Sequence, residues 1–261
     1  MTAAHQARVR RYLAEPSRTE LDAALLVAEV LGRPADRTEV DAALARLAAE
    51  AGGAHDASAL AAFIERAGFR GAADRYYSLD NSLIDRVLAT RRGIPITLAL
   101  VYIEVARRLG LDAHGIGFPG HFLVRVANDI VDPFGHRVLT ASAYAAFAKE
   151  RQPSIDPRAL AARASADAIA LRMLNNVKGV VAAQGNRGAA DALDLIDCQL
   201  VLGGDPTALN LERAELWRRL GSVGGARAAL EEARASCADA TLLREIDERL
   251  AKLPTARDDA N

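Results

Sequence analysis

At 261 residues and 51% apolar content, the chain is long enough to bury one good core or two modest ones. Charged residues make up 26% and the formal net charge is −1, which argues against nucleic acid and against an anionic membrane surface as the main partner. No run of about 18 apolar residues occurs, no signal-like apolar core follows the arginines of the first residues, and Cys198 and Cys237 lack any CxxC or Cys/His spacing, so a cytoplasmic protein without disulfide framework or zinc site is expected.

Residues 1–15 are short and charged, suited to no more than a frayed helix. In SRTE, Ser17 and Glu20 stand at capping-box spacing, and Leu21, Leu25, Ala28 and Leu31 then line one face until Gly32 and Pro34 stop the helix. A second helix is expected from Thr38, with Val40, Leu44 and Leu47 inward, up to Gly52 and Gly53. A third, from about Ser58, brings Leu60, Phe63 and Ile64 to the core and ends near Gly68. Residues 1–73 are therefore expected to form an N-terminal helical bundle that acts as scaffold.

Tyr76 and Tyr77 precede a turn-forming run that ends at Asn81. They could line a pocket, although paired aromatics beside a turn more often pack. Ser82 and Asp85 again have capping spacing, and Leu83, Ile84, Val87 and Leu88 form a short apolar stripe. Pro95 then opens the most apolar helix of the chain, Ile96 to about Leu109, closed by Gly110. A helix apolar nearly all round must be central. Glu104 interrupts it, three and four residues before Arg107 and Arg108, so it is either an ion-pair partner or a buried site residue. After the Pro119–Gly120 turn the period changes to two: Phe122, Val124 and Val126 alternate as a strand, and Asp129 to Asp132 reads as the next, ended by Pro133. The expectation is an antiparallel hairpin with its apolar face on the central helix.

From about residue 156 the chain is helical again. AAQGNRGAADAL and WRRLGSVGGARAAL superpose with Gly185 on Gly221 and Ala190 on Ala226, a 36-residue repeat with the small residues of tetratricopeptide-type hairpins. The tail PTARDDAN is expected to be disordered.

His121 opens one strand of the hairpin and Asp132 closes the other, an order that could bring carboxylate and imidazole together. The central helix begins at Gly93 to Thr97 and could add a third group at its positive end. A nucleophile at a helix start facing His and Asp on neighbouring strands is the layout of a cysteine acyl-transfer site. His114, His121, Asp132 and His136 lie close in sequence but without a recognised ligand spacing, so no metal and no cofactor is expected. Arg91 and Arg92 stand where a carboxylate or phosphate could be held, or are simply solvated charges.

The phrases LDNSLIDRVLATRRGIPITLALVYIEVARRLGL, GFPGHFLVRV and VDPFGHRVLT resemble the SirB1 family of bacterial proteins, which has a transglutaminase-like central region and a tetratricopeptide-like C-terminal part. A similar region occurs in a eukaryotic F-box protein. The resemblance spans most of residues 17–240, with its specific motifs confined to about 68–140. It implies a predominantly helical α+β fold: a transglutaminase/papain-like core with a small antiparallel sheet packed on a central helix, plus helical-hairpin repeats. In the broader superfamily a GxC-like motif opens the helix, R-x-L-G ends it, and a His and an Asp-Pro follow. His121 matches the His and Asp132 with Pro133 the Asp-Pro, while counting back from Gly110 places the cysteine position at Pro95. Proline cannot attack a carbonyl, and Thr97, the nearest hydroxyl, lies roughly 200° round the helix.

Three segments are expected: the bundle 1–73, a transglutaminase-like core 74–155 and a tetratricopeptide-like domain 156–261. The leading functional expectation is a non-catalytic module that binds a peptide or protein partner, with His121 and Asp132 retained and Pro95, Tyr76, Tyr77, Asn81, Arg92 and Glu104 as pocket candidates. The competing one is a hydrolase or acyl transferase in which His121 is general base and Asp132 its orienter, with another nucleophile or activated water.

Overall fold

A computed structural model describes residues 3–254; all of the expected disordered tail except Pro254 lies outside the described residues. The chain divides into two compact units, residues 16–173 and the terminal segments 1–15 with 174–261.

In chain order, α1 (Ala3–Ala14) belongs to the terminal unit. The larger unit follows with α2 (Glu20–Val30), α3 (Arg37–Glu50), α4 (Ala57–Arg66), β1 (Arg70–Gly71), α5 (Ile84–Thr90), β2 (Arg92–Gly93) and α6 (Pro95–Arg108). Then come β3 (Ala113–Ile116), β4 (Leu123–Val126), β5 (Asp129–Asp132), β6 (Arg137–Leu139), α7 (Ala141–Arg151), α8 (Pro157–Leu160) and the first turns of α9 (Ala166–Ala182). The architecture is α+β and predominantly helical, as the patterning requires.

The caps of α2 and α5 differ from expectation. Thr19, not Ser17, caps α2, in a reciprocal box with Asp22, because Glu20 is turned inward instead. α3 and α4 start within one residue of the expected Thr38 and Ser58, capped by Asp36 and Asp56, each carboxylate accepting from free N–H groups at the helix start. The Ser82/Asp85 spacing caps nothing: α5 starts after Leu83 without a side-chain cap.

Every residue of α6 from Ile96 to Ala106 is buried. A helix apolar on all sides has to be covered on all sides, and this requirement organises the unit. β3 and β4 pack on one side of α6, and α2, α3, α4 and α5 pack on it as well. Glu20 of α2 accepts two 2.7 Å hydrogen bonds from Arg107 of α6, whose Nε donates to the Ala113 carbonyl of β3 at 3.0 Å. Helices α2–α4 are therefore part of the same unit as the sheet, while α1 belongs to the other, and the chain does not divide at 73/74. Nor does it divide at 155/156: α7 and α8 cover the sheet, with Tyr144, Phe147 and Leu160 joining Ile116, Phe118 and Leu123 in one apolar cluster, and the division falls at 173/174.

The expected hairpin is the middle of a four-stranded antiparallel sheet, β3-β4-β5-β6, with Val124 opposite Val131. β3 (AHGI) carries glycine and histidine among its four residues and β6 has only three, so neither shows apolar alternation in the sequence. A second, parallel pair sets Gly71 of β1 beside Gly93 of β2.

The terminal unit holds α1, the end of α9, α10 (Gly185–Val201), α11 (Pro206–Arg219), α12 (Val223–Ser236) and α13 (Ala240–Lys252) as packed antiparallel helices. Gly185 and Gly221 both have left-handed φ, +76° and +75°. Ala190, however, is exposed. The close approach is made at Gly188, where a Cβ would collide with the Val181 carbonyl. Among the described residues, no helix is long and apolar enough to cross a membrane.

Candidate functional site

The start of α6 is built by Thr97. The Ile94 N–H donates to its Oγ1 at 3.1 Å, and the hydroxyl donates to the Asn81 carbonyl at 2.7 Å, fully out of contact with water. Thr97 is thus an internal cap, facing away from Pro95, which is partly exposed at the first position of the helix.

His121 is set by the Phe118–Pro119–Gly120–His121 turn. The His121 N–H donates to the Phe118 carbonyl at 3.0 Å, and Gly120 takes φ +69° at the position where a type II turn demands it. Arg172 of α9 locks this turn from outside, donating to the carbonyls of Phe118 at 2.8 Å and His121 at 2.6 Å while its guanidinium lies over the Phe122 ring. Phe122 itself packs against the bare face of Gly115.

Asp132 meets His121 across the β4–β5 hairpin, its Oδ1 lying 3.1 Å from Nε2. The same oxygen accepts from the Phe134 N–H at 3.1 Å, and Arg137 approaches Oδ2 at 3.5 Å. Burial alone would raise the Asp132 carboxyl, but the His121 hydrogen bond and charge, then the Phe134 N–H and Arg137, outweigh it and hold the acid below its ordinary range. An ionised Asp132 assigns the ring proton to Nε2. Nδ1 is left as the basic nitrogen, without a protein hydrogen-bond partner among the described residues, on a side chain 21% exposed.

The turn after β5 brings this pair to α6. The Phe134 ring lies on Gly71, where a Cβ would fall 2.5 Å from it, and Gly71 is the strand partner of Gly93, two residues before Pro95. His136 accepts from the Tyr102 hydroxyl at 2.7 Å on Nδ1 and donates from Nε2 to the Phe69 carbonyl at 2.9 Å. Tyr102 stands seven residues after Pro95, two helical turns along the same face. The face of α6 that carries Pro95 is therefore the one over which the Asp132–His136 turn is laid. Burial, with Glu65 and Asp132 nearby, pushes the Tyr102 phenol up, so it remains a hydroxyl donor.

The other candidate residues are distributed more widely. Tyr76 is 39% exposed, its ring 6.4 Å from Phe134, and burial raises its phenol against the opposing field of Arg172. Tyr77 contacts Tyr76 edge-on but is 80% exposed. Asn81 is buried and serves the α6 start through its carbonyl. Arg92 pairs with Asp74 at 3.0 Å on the surface. Glu104 pairs with Arg108 and, at 3.9 Å, with Arg107; it is nine residues past Pro95, about 13 Å along the axis. His114, His121, Asp132 and His136 do not converge: His136 is held by Tyr102 and Phe69, and among the described residues no group of three or more such side chains could hold a metal. Burial and then Arg163 push the His114 imidazole down.

Sequence reasoning did not single out Arg172, Phe134 or the hydroxyl of Tyr102. For Tyr102 a signal existed, a polar tip on the apolar helix in register with Pro95. For Arg172, fifty-one residues from His121, none did.

Known proteins share parts of this sequence. A UPF0162 protein of Xylella fastidiosa is 48% identical over 82 residues, 30% of this chain and 29% of that protein. One of Pseudomonas aeruginosa is 34% identical over 185 residues, covering 68% of this chain and 67% of its own length. F-box only protein 21 of Mus musculus is 44% identical over 57 residues, 22% of this chain and 9% of that protein. No solved structure matches the chain. Residues 35–175, which hold the buried helix, the sheet and the His–Asp pair, match the profile of the transglutaminase-like superfamily, and the chain belongs to that family.

Proposed function

We propose that this is a non-catalytic transglutaminase-like protein, of the SirB1 type and cytoplasmic, that binds a peptide or protein segment at the Pro95 face of α6. The observation that carries the reading is Pro95 itself: the first position of α6 holds a ring without a nucleophilic atom, and the nearest hydroxyl, Thr97, is sealed and doubly hydrogen-bonded. His121, partly exposed, and Tyr76, whose ring stands 6.4 Å from Phe134, are polar and aromatic groups suited to a peptide rather than to a reacting thiol. The helical hairpins of the terminal unit, read as tetratricopeptide-like, offer a second, separate surface.

A second reading is favoured by one feature. His121 keeps its Asp132 hydrogen bond and an unpaired basic Nδ1, the arrangement needed to activate a water molecule. Turnover separates the two. Hydrolysis of p-nitrophenyl acetate and acyl transfer from a glutaminyl peptide to hydroxylamine are expected to be the same for the wild-type chain and His121→Ala, while a peptide selected from a display library against the whole chain shifts the His121 ring resonances. Turnover that disappears in His121→Ala would establish the hydrolytic reading instead.

A further inference from the structure

The larger unit has a groove of about 720 Å³ that the His121–Asp132 pair does not touch, formed by α3 and α5 and lined by Pro34, Val40, Ala43, Leu47, Leu88 and Asp85 among others. Its floor is apolar, with Val40 and Leu47 buried and Leu88 7% exposed. Its charged rim is unbalanced: Asp36, Glu39, Glu50 and Asp85 face Arg46 and Arg91. One of the two cations is already engaged, since the Arg91 guanidinium lies 4.5 Å over the Phe69 ring.

Asp85 is the informative residue. Its Oδ1 is sealed from water and has no hydrogen-bond partner, and the carboxylate has no ion pair among the described residues. Its position in the first turn of α5 suits a negative charge, but supplies no donor to the oxygen. Asp85 as a residue is only partly buried and lines the groove, so the rest of its carboxylate is open to it. This carboxylate borders a groove with an apolar floor and an acidic excess, a combination that suits a cation carried on an apolar stem.

We propose that the α3–α5 groove is a docking site for a basic segment of a protein partner, an arginine side chain laying its stem on Val40, Leu47 and Leu88 and its guanidinium on Asp85. The planar fork of arginine suits a carboxylate, and its methylenes suit the floor. This site is independent of the Pro95 face and does not rest on the reading given for it.

The test uses the isotope-labelled full chain and the probe peptide acetyl-Ala-Arg-Ala-amide, with acetyl-Ala-Glu-Ala-amide as control, at low salt, following the backbone amides of α3 and α5. Saturable shifts are expected with the arginine peptide alone. Asp85→Asn, which keeps the shape and removes the charge, should weaken binding about tenfold or more, and His121→Ala should leave it unchanged. Because the Asp85 charge has no ion pair in the free protein, Asp85→Asn should lower the melting temperature by no more than the loss of a first-turn negative charge does. A larger drop would mean the carboxylate has a partner within the chain, and would overturn the proposal. So would shifts insensitive to Asp85→Asn, or no saturable response. An Asp85-dependent dimer in sedimentation without a response to the peptide would assign the groove to a second copy of the chain, against the proposal.

Discussion

Replacing Pro95 with cysteine puts a thiol at the first position of α6, and the acidity of that thiol measures whether its surroundings still form a thiolate-stabilising frame. An unperturbed cysteine titrates near 8.5, so only about 3% is thiolate at pH 7. The positive end of α6 stabilises an anion there by about 0.3–1 kcal/mol, which lowers the midpoint by up to about 0.7 units and raises the thiolate share to about 14%. A neighbouring imidazolium does far more, since His-paired thiols reach about 3–4. The His121 ring, with ionised Asp132 on Nε2, leaves Nδ1 as the nitrogen that can accept the thiol proton. Alkylation rate at a single pH is a poor readout. A three-unit drop raises the thiolate share about thirtyfold at pH 7, while the weaker nucleophile loses about twentyfold at a Brønsted slope of about 0.4–0.5. The assay is therefore the midpoint of the pH–rate profile with iodoacetamide, in a Cys237→Ser background. Cys198 stays silent, because burial first and then Asp194 and Asp197 push its thiol up to about 12. A midpoint below about 7 is expected for Pro95→Cys, returning to about 8 when His121→Ala is added. A midpoint of about 8.5 or above in both variants would refute the placement of the nucleophile position at Pro95.

Arg107→Met takes both hydrogen bonds from Glu20, which is 5% exposed, and leaves it only Arg163 at 3.8 Å; a loss of about 3 kcal/mol in urea unfolding is expected, mostly recovered by adding Glu20→Gln. Burial tends to raise the Glu20 carboxyl, but its bond to Arg107 and the neighbouring cations leave it below its ordinary 4.5. The stability this contributes is present above pH 4.5 and is lost as pH falls through the lower folded value, so acid unfolding followed by circular dichroism should be steeper in wild type than in Glu20→Gln. Gly120→Ala forces a side chain into φ +69° at a cost of about 1–2 kcal/mol, lowering the melting temperature and shifting the His121 ring nitrogens; unchanged nitrogens would mean the turn does not set the ring. Tyr102→Phe removes the donor to His136 Nδ1 and should cost about 1–3 kcal/mol, with the His136 resonances moving and those of His114 staying in place.

Much of the site's frame is readable along the chain. The all-round apolar character of residues 96–106 identifies the helix that must be central, and Pro95 and Gly110 mark its ends. The alternation of Phe122, Val124 and Val126 identifies a strand, and the short turn after it returns Asp132 towards His121 because an antiparallel hairpin has no other way to pair. These features are local: periods of 3.6 and 2 and the φ restrictions of proline and glycine are properties of a few adjacent residues. The caps were harder to read, since several Ser, Thr and Asp residues near each start compete for the same N–H groups and the choice depends on what else each side chain does. Glu20 leaves the α2 cap to Thr19 and Asp22 because it is needed by Arg107, eighty-seven residues away.

What the sequence determined by itself, then, is which segments are helix or strand, which faces are apolar, and that the residue at the head of the central helix carries no nucleophile. Only the tertiary structure decided that α2–α4 and the sheet share one unit, that Phe134 rests on Gly71, and that Arg172 clamps the turn bearing His121. The orphaned Asp85 at the edge of a groove belongs to the same class. The reason is physical: burial patterns record how much of a side chain leaves water, whereas the identity of the atom it meets is settled only when distant segments close over one another, and nothing in the neighbouring residues encodes that closure.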